Sequence, residues 1–166
     1  KEYKQLSEAI STFATRCSEK LRKQKCSTSE IRVFIYTNPY NPKHKQYYGY
    51  IKLNLEVASN ESNIIIKEAL KGLKMIYRND CVYKKVGVIV GKIAPNNQVQ
   101  LSLFDEMQNR PKYRILSSVI DKINRTMGRD KLRIATQGFD RKWRMPQEQL
   151  SPCYTTRWND LLKVKI

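Results

Sequence analysis

A single histidine, six glycines and the absence of any apolar run near the roughly eighteen residues of a membrane span set the first limits on this 166-residue chain. His44 lies in a loop among Pro42, Lys43 and Lys45, so no hydroxyl or thiol has an evident imidazole base beside it. Asp80, Asp105, Asp121, Asp130, Asp140 and Asp160 stand apart from one another, mostly at turns, whereas metal-assisted phosphoryl transfer needs carboxylates that converge. There is no Gly-rich phosphate loop. We therefore expect no catalytic residue, no metal site and no cofactor in this chain. Cys17, Cys26, Cys81 and Cys153 are widely spaced without a Cys-x-x-Cys, which fits neither a zinc site nor a dense disulfide framework and reads as reduced cytosolic thiols. The opening Lys1-Glu2-Tyr3-Lys4 has neither a signal-peptide core nor an initiating Met, and reads as the start of a piece of a longer, cytoplasmic protein with no membrane association.

What is present in excess is positive charge. Lys and Arg number 32 against 15 Asp and Glu, a net +17. The excess is general: residues 1–83 hold 15 cations and 8 acids, residues 84–166 hold 17 and 7. Such a surface accumulates polyanions by counterion release, so nucleic acid is the expected partner. The length suits one domain, or a small domain plus an extension.

Apolar residues recur at three-and-four spacing as Tyr3, Leu6, Ile10, Phe13, Cys17 and Leu21, which predicts a helix over about 2–24. Ile31, Val33 and Ile35 then alternate with Arg32, Phe34 and Tyr36, the period of a strand with one face on a core, ended by Pro39 and Pro42. A second strand is expected over 47–57, with Ile51, Leu53, Leu55 and Val57 facing one way. Ser59-Asn60-Glu61-Ser62 reads as the cap of a helix over 63–78 carrying Ile66, Ala69, Leu70, Leu73, Ile76 and Tyr77. A third strand follows over 82–93. The expected fold is α+β, two helices on one face of a largely antiparallel sheet. The opposite sheet face would carry Arg32, Phe34, Tyr36, Tyr50, Lys52 and Lys85, cations and aromatics suited to a phosphate backbone, or simply a solvated face.

Beyond residue 110 a helical, basic extension is expected: 110–144 holds eleven cations and three acids. Pro111 opens a helix over 112–127 with Tyr113, Leu116, Ile120, Ile123 and Met127 on one stripe and Gly128 as its stop. Lys131-Leu132-Arg133-Ile134-Ala135 reads as a short strand, and an aromatic, basic tail with Trp143, Tyr154 and Trp158 follows Gly138.

Between these regions lies Gln100-Leu101-Ser102-Leu103-Phe104, after the turn-prone Pro95-Asn96-Asn97 and before Asp105-Glu106. An amide and two large apolar side chains in a turn-flanked, extended stretch are what a short docking peptide needs. The pattern resembles the motif by which bacterial polymerases and repair proteins bind the sliding clamp (the beta subunit). The competing reading is a linker whose Leu and Phe fold back on the domain.

Ser18-Glu19-Lys20-Leu21-Arg22, Thr37-Asn38-Pro39-Tyr40, Ile76-Tyr77-Arg78, Tyr83-Lys84-Lys85-Val86-Gly87-Val88, the Gln100–Phe104 motif, Asp121-Lys122-Ile123-Asn124 before Gly128-Arg129, Trp143-Arg144-Met145, and Ser151-Pro152-Cys153-Tyr154-Thr155-Thr156-Arg157-Trp158 together resemble the C-terminal part of the UmuC-type catalytic subunits of Y-family translesion DNA polymerases. The resemblance implies that 1–94 is a little-finger domain gripping DNA; Arg32, Tyr36, Tyr50, Lys52, Lys84 and Lys85 are the contacts we expect there from residue type and position on the sheet. It implies a clamp-binding linker over 95–110. It also implies an extension over 111–166 whose tail residues Tyr154, Thr155, Thr156, Arg157 and Trp158 serve a partner. UmuD' and RecA are implied as partners of the full-length protein, and Mg as the metal of a catalytic domain outside this chain. Two departures stand out. The family's little finger begins with a strand before its first helix, which would fall upstream of Lys1, and Cys153 stands where the family usually has a basic residue. The competing readings are a stand-alone nucleic-acid-binding module and a nucleotidyltransferase active in itself.

Overall fold

The computed structural model describes residues 2–100, 110–140, 143 and 151–161. Helix α1, Tyr3–Lys23, presents Leu6, Ile10, Ala14 and Leu21 to the core, all at most 2% exposed. Three of these are on the expected stripe. Phe13 and Cys17 are only half-buried, and the small Ala14 takes the central contact instead. The Phe13 ring turns to the edge of Trp143, centroids 5.5 Å apart. Tyr3 likewise leaves the core and meets Tyr77 edge-on at 4.9 Å.

Three strands follow the helix: β1 (Cys26–Thr37), β2 (Tyr48–Ser59) and, after α2 (Ser62–Ile76), β3 (Tyr83–Pro95). The sheet order is β2-β1-β3 and both pairings are antiparallel. Ile31, Val33 and Ile35 of the central strand are fully buried beneath the helices, each stabilising the fold by about 1.5–3 kcal/mol. Across from Val33 stand Ile51 on β2 and Val88 on β3, which widens the apolar floor. Helix α2 contributes Ile65, Ile66, Ala69, Leu73 and Ile76, and comes in close because it carries Gly72. A Cβ there would lie 3.0 Å from Leu53 and 3.2 Å from Ile51 and Val33. This is the expected α+β arrangement, with a three-stranded sheet.

The polar run before α2 does not cap it as expected. Glu61 is the N-cap residue and makes no capping bond with its side chain. Ser59 Oγ instead accepts the Glu61 backbone N–H (3.1 Å), and the Asn60 amide donates to Cys26 O (2.9 Å) and Asn96 Oδ1 (3.1 Å). Ser27 also donates to Asn96 Oδ1 (2.8 Å). These side chains tie the ends of the sheet together, because the strands finish here with backbone groups that lack ladder partners.

Helix α3, Arg110–Thr126, returns to α1. Arg22 joins them: its guanidinium donates to both carboxylate oxygens of Asp121 and, through Nη1, to Asn60 O (2.6 Å) and Ser62 Oγ (3.1 Å). The expected short strand at 131–135 does not form. Asn124 holds Leu132 by both backbone groups, donating to its carbonyl (2.9 Å) and accepting its N–H (2.8 Å), which takes up the bonds a strand partner would need. A 3-10 turn, Ala135–Gln137, follows and packs on α1, with Gln137 only 3% exposed. The chain then passes Glu8 at Gly138, whose φ of 64° and lack of a Cβ both favour glycine there.

The expected stripe on α3 also differs. Ser117 is the buried side chain and Asp121 and Asn124 make the inward bonds, while Leu116 and Met127 are exposed. The polar contacts to Arg22 and Leu132 set the rotation of the helix, so Tyr113 and Ile120 of the expected stripe stay half-buried beside α1 while Ile115, Leu116, Val119 and Met127 face outward. Among the described residues, no helix is long and apolar enough to cross a membrane, and all four cysteines are free.

Candidate nucleic-acid interface

Period two on β1 puts Arg32, Phe34 and Tyr36 on the sheet face opposite the helices. Antiparallel register then builds three rungs. Arg32 lies between Lys52 and Ile89, Phe34 between Tyr50 and Gly87, and Tyr36 between Tyr48 and Lys85. Of the residues expected at a DNA contact, Arg32, Tyr36, Tyr50, Lys52 and Lys85 therefore meet on one surface. Lys84 occupies the register shift between the Tyr36–Lys85 and Thr37–Tyr83 pairs, with its ammonium 3.2 Å from Asn38 Oδ1 at the end of the sheet.

The first rung would place two cations directly opposite each other, a repulsive pair. Glu30 relieves it. Its carboxylate accepts from Arg32 Nε at 2.6 Å and pairs with Lys52 Nζ at 2.9 Å while being 1% exposed; the two cations keep 40% and 46% of their side-chain surface open. The Lys52 hydrogen bond, with Arg32 adding to it, holds the Glu30 carboxyl below the usual glutamate range, and the same pairing raises Arg32. Gly91, facing Glu30, leaves the space that the carboxylate fills; a Cβ there would lie 2.7 Å from its Oε1.

The other two rungs are aromatic. A Cβ at Gly87 would overlap the Phe34 ring, so only glycine lets that ring lie flat on β3. Phe34 stacks on Tyr36 at 6.2 Å, Tyr36 meets Tyr48 at 6.2 Å, and Lys85 Nζ sits 5.6 Å from the centre of the Tyr36 ring. Such a face supplies cations for phosphates and ring surfaces for bases or sugars. Among the described residues no group of three or more His, Cys, Asp or Glu is placed to hold a metal ion.

Sequence reasoning missed Glu30 and Tyr48. Glu30 was legible in principle, since it shares the parity of Arg32 and Phe34, but its burial depends on Gly91 some sixty positions away. Gln100 is exposed, two residues past the 3-10 turn Asn96–Gln98; Leu101, Ser102, Leu103 and Phe104 lie outside the described residues. The tail residues Tyr154, Thr155, Thr156, Arg157 and Trp158 form one small closed turn. Cys153 O accepts from Thr156 N (3.0 Å) and Arg157 N (2.9 Å), and Asp160, in the 3-10 turn Trp158–Asp160, takes the Cys153 N–H at 2.9 Å. The Trp158 ring is 87% exposed.

Comparison with known proteins gives two family matches, the impB/mucB/samB family C-terminal domain over residues 1–103 and a domain of unknown function, DUF4113, over residues 114–164. The chain is 35% identical to protein UmuC of Salmonella typhimurium over 164 residues, covering 99% of this chain and 39% of that protein. It is 36% identical to protein MucB of Escherichia coli over 156 residues, 94% of this chain and 36% of that protein, and 33% identical to protein SamB of Salmonella typhimurium over 164 residues, 99% and 38%. It thus spans a little over a third of the length of these curated relatives. With the family domain matched over more than half its length and UmuC-type relatives aligned along nearly all of it, the chain belongs to the impB/mucB/samB family and corresponds to the C-terminal part of a UmuC-type protein.

Proposed function

We propose that the chain is the DNA-gripping and clamp-tethering C-terminal part of an error-prone translesion DNA polymerase that acts in the SOS response and DNA repair. The observation that supports this best is the open sheet face, where Arg32, Lys52 and Lys85 stand beside Phe34, Tyr36, Tyr48 and Tyr50. A polymerase that copies damaged templates must hold DNA without reading it, and backbone contacts from cations provide a strong but sequence-blind grip. Residues 100–104 would add a tether to the sliding clamp, making rebinding intramolecular at roughly millimolar effective concentration. Catalysis, with its Mg, would belong to another part of the full-length protein, and UmuD' and RecA would be that protein's accessory partners. The setting is the bacterial cytoplasm, on the nucleoid.

The test is a fluorescence titration of primer–template duplexes of unrelated sequence at several salt concentrations. We expect equal affinities across sequences, a steep fall with salt and no primer extension by the chain alone. Lys52→Glu with Lys85→Glu should weaken every duplex alike. Affinity that is flat with salt, depends on sequence or survives the double reversal would overturn the grip, and detectable extension would overturn the division of labour.

A further inference from the structure

Helix α3 offers the solvent what a surface helix ordinarily buries. Ile115, Leu116, Val119 and Met127 are 64%, 52%, 46% and 68% exposed, and helical spacing puts them on one continuous side with the half-buried Ile123. Leu132, 44% exposed, extends the patch past the end of the helix. Beside it a recess of about 240 Å³ opens between α1 and α3, walled by Leu116, Ile120, Leu132 and Ile134. That volume is below the usual range for a cofactor or drug-sized ligand and suits one or two side chains. Exposed Arg114, Lys122 and Arg125 border the free flank of the stripe; the polar rim of the recess itself is mixed, with Arg129 and Arg133 beside Glu19 and Asp130, so the cationic selection comes from the flank.

From this arrangement we infer that the outer face of α3 is a docking surface for an acidic amphipathic helix of a partner protein, one large apolar side chain of which enters the recess. An apolar stripe with an adjoining anchor pocket is the geometry of helix-in-groove recognition. The cationic border selects an acidic partner. It also disfavours a second copy of this chain, which carries +17. Nucleic acid is disfavoured because the stripe is aliphatic and gives bases no ring to stack on. The surface is separate from the sheet face that carries the proposed DNA grip, and does not depend on that reading.

The test uses the whole chain and a synthetic helical peptide with leucines at three-and-four spacing, one tryptophan and glutamates elsewhere. Its controls are a scrambled peptide, a version with lysine for glutamate, and anionic vesicles. Saturable binding of the acidic peptide alone is expected, weakened at least about tenfold by Leu116→Asp with Val119→Asp, while the melting temperature and DNA affinity match the parent. Should that variant fail to fold, Leu116→Ala with Val119→Ala is expected to weaken the peptide in the same direction. The inference is overturned if the acidic peptide does not bind saturably or if the scrambled or lysine version binds equally. Stripe-dependent attachment to vesicles or stripe-dependent self-association without peptide binding would likewise overturn it.

Discussion

The Arg22 guanidinium on α1 grips the Asp121 carboxylate on α3 at two points, Nε to Oδ2 at 2.6 Å and Nη2 to Oδ1 at 2.7 Å, with the partners 99 positions apart. Two parallel charge-assisted bonds in a partly buried setting exceed an ordinary surface pair, so Asp121→Ala should cost on the order of 1.5–3 kcal/mol. Arg22→Ala should cost more, because the same side chain also serves Asn60 O and Ser62 Oγ at the start of α2. In denaturant unfolding, a double-mutant cycle should return a favourable coupling between the two positions. Additive effects would mean that α3 is held to α1 by other contacts.

Local pattern was enough for much of this fold. Alternation in β1 identifies Ile31, Val33 and Ile35 as core and Arg32, Phe34 and Tyr36 as the opposite face, because strand parity is a property of neighbouring residues. It could not reveal that Arg22 and Asp121 meet, nor that α3 therefore leaves Ile115, Leu116 and Val119 outward, since that rotation is fixed by a contact between distant segments. Residues 131–135 have the composition of a strand, but the Asn124 side chain captures Leu132 first. On the candidate interface, parity alone places Arg32, Tyr36, Tyr50 and Lys52 together; the bulge at Lys84 and the glycine opposite Glu30 are features of register.

Tyr83 should make the fold sensitive to alkali. Its ring is buried in the core, its hydroxyl donates to Arg78 O (3.1 Å) and accepts the Arg78 N–H (2.8 Å), and burial pushes its pKa up to about 12. The folded state thus keeps the proton that the unfolded chain gives up near the ordinary value of about 10. The stability tied to this proton is complete below about pH 10, declines by at most about 1.4 kcal/mol per pH unit, and is lost by about pH 12. Tyr83→Phe should lower stability at neutral pH through the lost hydrogen bonds, yet flatten the decline. Parallel slopes for parent and variant across that range would assign alkaline sensitivity to another group.

The clamp motif is tested by separating binding from stability. Leu103 and Phe104 should each contribute on the order of 1.5–3 kcal/mol by entering an apolar pocket on the clamp, and Gln100 about 0.5–1.5 kcal/mol through a hydrogen bond. Leu103→Ala with Phe104→Ala should then abolish most measurable clamp binding while melting temperature and DNA affinity stay near the parent's. A linker folded onto its own domain would behave oppositely, since the same truncation would open a cavity and cost stability. Clamp titrations beside thermal melts decide between them: undiminished clamp affinity, or early melting, returns the segment to a structural role.

Glu30 restrains the very cations assigned to the DNA grip. With both its oxygens engaged by Arg32 and Lys52, part of the charge on the first rung is already neutralised before any phosphate arrives. Glu30→Gln keeps the shape and removes the charge, so the two cations become available to DNA. Affinity should rise, and log K should fall more steeply with log salt, by up to about 1.8 if both gain a phosphate. The same change should lower stability at neutral pH, because Arg32 and Lys52 then face each other without a counter-charge. Acid separates this role from simple packing. The Glu30 carboxyl is held below its usual range, so its stabilisation is fully present above about pH 4.3 and is lost as pH falls through the lower folded value. The Gln variant should lack that acid-sensitive component. If its DNA affinity falls or stays level while its melting temperature drops, Glu30 organises the rung for binding, and the cations act through it rather than against it.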